Sequence, residues 1–362
     1  MKIAQVQMIG AILSSRRYRR RHNFQMTLLI RPAEQKDLPA LSKFLVRVYH
    51  FDPLDPHANP QFLEWKYLHP RTGWEGSRSY LLEKNGEIAA HCGLCPIVFC
   101  PPDEKNVKSL TMMDWAADPS LPGVGVMLLR KLMELAPTSF IVGGATSTRR
   151  IVPRIRFRNL GEAVTYAAWV RPWSEFRLRS LTRRSTLRLL HGLSHPVRNR
   201  DLVSSGWKFL PVDRFDDSVS PILRNVKWSW TFCQRNLADL NYLLQCPSVR
   251  MRGFLLKRHG EVFGYFVLGI SEWEAKLLDL TVNSSDQNDW NLACAAVTRA
   301  AQLDPAVCRV RILSTVPIMK RALAWNGYWC QYKEPIALYD PSDLMGNALP
   351  VSLQLFDGDS GY

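Results

Sequence analysis

The stretch best equipped for chemistry runs Met112-Met113-Asp114-Trp115-Ala116-Ala117-Asp118-Pro119-Ser120-Leu121-Pro122-Gly123-Val124-Gly125-Val126. It reads as an apolar strand with one central acid, a turn, and a Gly-x-Gly ahead of a helix whose first turn carries no acid. Glycines let a backbone approach a diphosphate closely, and the first free N–H groups of a helix, at the positive end of its dipole, bind an anion. A plain strand-to-helix turn uses the same residues. A second candidate is weaker: Cys92 and Cys95 form a CxxC beside His91, but no second Cys or His pair stands at zinc-ligand spacing. Free cysteine commonly serves as a small buried hydrophobe, so no metal is expected. The chain holds no Ser-His-Asp arrangement, P-loop or dinucleotide fingerprint.

The elements around these residues occur twice. Tyr80-Leu-Leu-Glu-Lys-Asn-Gly-Glu-Ile88 and Phe254-Leu-Leu-Lys-Arg-His-Gly-Glu-Val262 are the same hairpin, two apolar strands joined through a turn ending in Gly-Glu. Each is followed by a strand with a central acid, Asp114 in one and Asp279 in the other, and then by an amphipathic helix. An apolar strand (Phe140 to Ala145; Val310 to Leu313), a helix, a glycine (Gly161; Gly327) and a further strand complete each run. Upstream of the first hairpin, Leu28 to Arg31 reads as a strand, and Leu38, Leu41, Leu45 and Val48 recur at helical spacing behind Asp37, placed as a cap. Two copies of one α/β domain follow from this order, each with a mixed sheet flanked by helices.

With 362 residues, the chain is roughly twice the usual domain size of about 150. It has 47 Lys plus Arg against 32 Asp plus Glu, a net +15, and is 46% hydrophobic. That composition excludes a disordered or fibrous chain, and no apolar run approaches the ~18 residues that span a bilayer. Eight scattered cysteines without a credible signal peptide point to a reducing cytoplasm. Residues 1–25, where Arg16, Arg17 and Arg19 to Arg21 follow an apolar stretch, read as a disordered basic tail or a misassigned start. Residues 174–206 carry Arg177, Arg179, Arg183, Arg184, Arg188, Arg198 and Arg200. This segment reads as a solvated linker helix, or as a surface for peripheral contact with anionic lipid or RNA.

The residues resemble the GNAT acyltransferase superfamily, well over Thr27 to Pro172 and more weakly over Trp207 to Pro341. The family's Gln/Arg-x-x-Gly-x-Gly/Ala falls on Ser120-Leu-Pro-Gly123-Val-Gly125, with Ser120 in place of the Gln or Arg. The resemblance implies an α/β (α+β) chain of two tandem GNAT-like domains, each a mixed, mainly antiparallel sheet flanked by helices: residues 27–173, then the linker 174–206, a degenerate copy 207–341 and a C-terminal tail 342–362. It implies acetyl-CoA or another acyl-CoA as co-substrate, held by Ala116, Ala117, Gly123, Val124, Gly125 and Val126. In GNAT folds two central strands splay apart and the acyl-CoA arm threads the gap; Gly143 and Gly144 would leave it room.

Asp114 falls where family members often carry an acid, as a catalytic base or as a structural carboxylate. The family's usual tyrosine acid is replaced by Phe157, four residues before Gly161. In the second copy, Ser284, Ser285 and Asn288 stand where glycines should, and an aspartate at the helix mouth repels phosphate; that copy reads as having kept the fold and lost the cofactor. Asn59-Pro-Gln-Phe62-Leu-Glu-Trp65-Lys66-Tyr67 resembles a Trp-Lys-Tyr element of GNAT-like proteins of bacterial polysaccharide and lipid assembly, so Trp65 and Tyr67 frame an acceptor pocket or pack a short helix. The expected function is transfer of an acetyl or longer acyl group to an amine or hydroxyl, of a sugar or lipid precursor among others. The alternatives are a Fem-type transferase using aminoacyl-tRNA, which a +15 chain would attract, and a catalytically inactive scaffold.

Overall fold

The computed structural model describes residues 27–102, 105–171, 202, 204–225, 228–346 and 350–358. The basic tail 1–25 and all but 202 and 204–206 of the Arg-rich linker lie outside the described residues.

Local chemistry sets the first elements. β1 (Leu28–Pro32) leads to α1 (Leu38–Tyr49), which buries Leu38, Leu41, Phe44 and Leu45 at helical spacing. The Asp37 carboxylate does not cap α1 as expected. It accepts from the Arg31 guanidinium at 2.6 and 2.8 Å and from the Glu34 N–H at 2.8 Å, closing a short 3-10 turn instead. α2 (Pro60–Tyr67) starts on Asn59, whose side chain accepts the Gln61 N–H, with proline in the first turn.

β2 (Ser79–Lys84), β3 (Glu87–Cys100), β4 (Val107–Ala117), α3 (Val124–Leu132), β5 (Thr138–Val142), α4 (Thr146–Ile151) and β6 (Arg158–Trp169) complete the first run. The second follows the same order, with one short strand added: β7 (Trp207–Val212), α5 (Ser220–Asn225), β8 (Thr231–Cys233), α6 (Leu237–Leu243), β9 (Arg250–Arg258), β10 (Glu261–Ser271), β11 (Glu274–Val282), α7 (Gln287–Gln302), β12 (Arg309–Ser314), α8 (Pro317–Trp325) and β13 (Trp329–Tyr339). The two hairpins match in detail. Asn85 and Gly86 have φ of 54° and 85°, His259 and Gly260 have 49° and 94°. Two successive positive values make a type I′ turn, whose twist suits a two-residue hairpin, and the registers Lys84↔Glu87 and Arg258↔Glu261 agree.

The chain divides into two compact units. The smaller comprises the described residues up to Leu68, Ser77–Gly93 and Asp114–Leu132; the larger comprises His69–Gly76, Leu94–Met113 and the residues from Met133 on. In the smaller unit β2 lies between β1 and the start of β3, antiparallel to both. In the larger unit the strand order is β4-β5-β13-β6-β12-β11-β10-β9-β7. β4 with β5 and β11 with β12 are parallel and the remaining pairs of this order antiparallel.

The last strands of the two runs are exchanged, since β13 pairs with β5 and β6 pairs with β12. On one face of the larger unit's sheet, Phe266, Leu268, Leu277, Val310 and Ile312 meet the alanine-rich side of α7 and Met319, Ala322 and Leu323 of α8. The segment read as a C-terminal tail is part of this unit: β14 (Val351–Ser352) pairs with β8, and Leu353, Leu355, Phe356 and Asp357, the last three in α9 (Leu355–Gly358), are buried.

Candidate functional site

In the smaller unit, Asp114 stands near the end of β4 with φ of 48°, a left-handed backbone that aspartate tolerates better than most residues. Its Oδ2 accepts from the Tyr67 hydroxyl at 2.6 Å and pairs with Lys66 Nζ at 2.7 Å. Both donors come from the end of α2. Lys66 is 4% exposed while the Asp114 side chain keeps 34% of its surface open, and no bond among the described residues falls on its Oδ1. Burial pushes the Asp114 carboxyl up, but the Lys66 charge and hydrogen bond, with the Tyr67 hydroxyl, outweigh it and hold the group below the usual carboxylate range. Asp114 is therefore an ionised and weak base.

Behind it lies His91, fully buried on β3. Its Nδ1 meets the Asp114 carbonyl at 3.0 Å and its Nε2 the Ser79 hydroxyl at 2.9 Å. A carbonyl only accepts, so Nδ1 carries the proton and Nε2 accepts from Ser79. Burial pushes the His91 imidazole down to about 4 despite the attraction of Asp114, so it is neutral at pH 7.

Past Ala117 the chain turns. Asp118 donates its N–H to the Ala89 carbonyl, and its Oδ1 accepts the Ser120 N–H at 2.9 Å and the Ser120 hydroxyl at 2.6 Å. Those Ser120 bonds hold Asp118 ionised, and Arg47 from α1 answers its charge at 3.1 Å from Oδ2. Gly123 follows with φ of 91°, and a Cβ there would meet nothing within 4 Å. Gly125 works differently. A Cβ at Gly125 would stand 2.9 Å from the Ala117 Cβ and 3.1 Å from Trp115 Nε1, and that indole N–H donates to the Gly125 carbonyl at 2.9 Å. Gly125 thus lets α3 press onto β4, while Gly123 lets the turn open the N–H groups of Val124, Gly125 and Val126, which have no partner one turn earlier in the helix. The first turn of α3 holds no acid.

No protein-family model matches this chain, and no curated protein sequence does. Solved structures do. A GCN5-related N-acetyltransferase of Anabaena variabilis is similar at TM-score 0.59 and 11% identity over 87% of this chain and 73% of its own. N-myristoyltransferase of Saccharomyces cerevisiae with bound myristoyl-CoA is similar at 0.59 and 10%, over 86% and 79%. A probable N-acyltransferase of Enterococcus faecalis is similar at 0.53 and 10%, over 87% and 72%. Each likeness spans more of the chain than either run alone. This chain has the GNAT acyltransferase fold.

Within that fold, Ala116, Ala117, Gly123, Val124, Gly125 and Val126 all lie on the β4 end, the turn and α3 of the smaller unit, as does Asp114. Gly143 and Gly144 belong to the larger unit and close on their own neighbours. Gly143 donates its N–H to the Pro335 carbonyl, and a Cβ on either glycine would run into Glu334 or Thr148. Their positive φ and close packing account for the glycines without a ligand. Trp65 and Tyr67 are 2% and 0% exposed: Trp65 stacks on Phe62 and Tyr67 serves Asp114, so both act from inside the fold. Phe157 is buried against Tyr339. His91 was noted only beside the CxxC pair and Lys66 only within the Trp-Lys-Tyr element; neither was read as a partner of Asp114.

The second run of the GNAT fold keeps the acid and loses the turn. Asp279 is buried and takes Arg235 at 2.9 and 3.0 Å and the Tyr265 hydroxyl at 2.8 Å, a cation and a tyrosine as at Asp114. At the mouth of α7 the Asp286 carboxylate itself accepts the N–H groups of Asn288 and Asp289. Beyond the last β11–β12 pair, Leu277↔Ile312, the Gln354 side chain bonds both the N–H and the carbonyl of Leu280, and Thr315 bonds Val351 and Leu353. Protein groups thus occupy the space beyond the last paired residues of β11 and β12. Among the described residues no cluster of metal-ligating side chains occurs, and Cys92 and Cys95 are buried thiols, the first donating to the Gly93 carbonyl and the second accepting from Arg71.

Proposed function

We propose that the protein transfers an acyl group from acyl-CoA to an amine or hydroxyl acceptor, with one cofactor site per chain, in the first run. One observation carries this reading: in a GNAT fold, a glycine turn opens onto an acid-free helix in the first run, while in the second the equivalent helix mouth is stopped by its own aspartate. The amides of Val124 to Val126 hold the diphosphate, and the backbone of Trp115 to Ala117 pairs with the arm of the cofactor. The free Oδ1 of Asp114 receives the acceptor's proton. A weak base suffices for an amine, because nitrogen becomes far more acidic once its bond to the thioester carbon forms.

Calorimetry with CoA tests the proposal: one site per chain in the wild type, and binding weakened by an order of magnitude or more in Gly123→Asp. That substitution adds a negative charge at the turn, in open space, but any side chain strains the backbone at φ of 91°, so its binding is compared with that of Gly123→Ala, which carries the strain without the charge. No CoA binding by the wild type, or unchanged binding in the variant, overturns the reading. A binding protein without turnover is the second reading, favoured by Phe157 in the place of the usual acid. Release of free thiol from acetyl-CoA in the presence of pooled amines separates the two.

A further inference from the structure

We propose that a cleft on the second run is a saccharide-binding site, separate from the cofactor turn. It lies wholly within the larger unit and has a volume of about 930 Å³, at the upper end of small-molecule sites. Three segments enclose it: the connection that leaves β3 at Cys100 and reaches Asn106, α5 with the 3-10 turn ahead of it, and the stretch from Trp228 through β8 to Leu237. Their chemistry selects a neutral, hydroxyl-rich ring.

The aromatic wall is fixed in place. Trp228 and Phe232 meet edge to face with ring centroids 5.1 Å apart, and Trp228 stacks on Trp230 at 5.2 Å. The Trp228 indole N–H donates to the Val282 carbonyl at 3.2 Å. β8 is held on both edges, since Phe232 pairs with Cys100 of β3 and with Ser352 of β14. The C–H groups of a pyranose, polarised by the oxygens beside them, suit the negative face of such rings. An adjoining nook of about 20 Å³ shares Trp228, Phe232 and Arg235 with the cleft and adds Thr281 and Ser352, space for one water or one ligand hydroxyl.

The polar groups facing this wall are uncharged and available. Asn106, Ser229 and Gln234 are exposed, and their side chains make no hydrogen bond among the described residues. Amides donate and accept at once, as neighbouring ring hydroxyls require. The charges favour neither an anion nor a cation. Arg235 is committed to Asp279 at 2.9 and 3.0 Å and to Asp357 at 2.8 Å. Asp217 and Arg224, the other charged residues among the described lining, cancel. A nucleotide phosphate would meet one arginine offset by a carboxylate, and an alkyl chain would bury methylenes among amides and charges, which gains little.

Titrations of the full chain, followed by tryptophan fluorescence and saturation-transfer NMR, test the site with glucose, N-acetylglucosamine, maltotetraose and chitotetraose. At least one saccharide should bind saturably, and AMP, leucine and octanoate should not displace it. No saturable binding of any of the four, or displacement by one of the three competitors, overturns the proposal. Gln234→Ala should weaken binding about tenfold through the lost hydrogen bonds, and Ser229→Tyr, which fills the cleft from an exposed position, should abolish it. Both should melt as the wild type does, and Asn106→Ala replaces either one that does not. Saccharide binding unchanged in the folded variants overturns the cleft as its site. No CoA is present, so the outcome stands or falls independently of the acyl-CoA reading.

Discussion

At the scale of single residues, burial holds His91 neutral beside an Asp114 kept ionised by Lys66 and Tyr67, and this makes the protein sensitive to mild acid. The folded state holds His91 near 4 against 6.5 for a free imidazole, chiefly through burial. Between those values the unfolded chain takes up a proton that the folded chain refuses. Stability therefore falls as pH drops from about 6.5 towards 4, by at most about 3 kcal/mol, and is flat above that window. The depressed carboxyls of Asp37 and Asp114 act lower, their stabilisation fading as pH falls below about 3.8. Urea denaturation at several pH values should show the slope, and His91→Gln should flatten it; a slope that survives in the variant assigns the effect elsewhere. Asp114→Asn should destabilise by about 1–3 kcal/mol, because Lys66 is buried and loses its counterion. Asp114 itself was legible in the sequence as a lone acid in an apolar strand. Its partners were less so, because α2 reaches it only through the fold.

The elements show why a motif and a clash can look alike in one dimension. Gly-x-Gly ahead of a helix suggested that both glycines serve a phosphate, yet Gly125 is a packing glycine and only Gly123 faces open space. The difference lies in which residues of β4 the helix crosses, and spacing along the chain does not encode that. Gly125→Ala should therefore cost about 1–3 kcal/mol of stability by pushing α3 off Trp115 and Ala117. A melting curve unchanged in this variant would show that α3 gives way freely. The hairpins were fully legible: Asn-Gly and His-Gly between apolar strands select one turn type, and turn chemistry is local. The Asp37 cap was misplaced for the opposite reason, since Arg31 and the Glu34 N–H compete for the same carboxylate.

For the whole molecule, the repeat in the sequence was real as an order of elements, but it did not reveal how the runs are joined. β13 stands between β5 and β6, and β6 stands between β13 and β12, so each run's final strand completes the other's part of the sheet. Strand exchange leaves no mark on periodicity, because Ala163, Val164 and Ala167 of β6 are as apolar as any strand that pairs with its own neighbours. The consequence is testable with a fragment. Residues 27–171 contain every element of the first run, but without β13 they leave β5 and β6 with long unpaired edges whose N–H and C=O groups lose their partners, and such edges aggregate. The fragment expressed alone should be insoluble or form intertwined dimers, and adding residues 202–358 in trans should rescue a soluble complex. A monomeric fragment with a cooperative melt would mean that β6 can turn back to pair with β5, and that the exchange is not what binds the two runs into one protein.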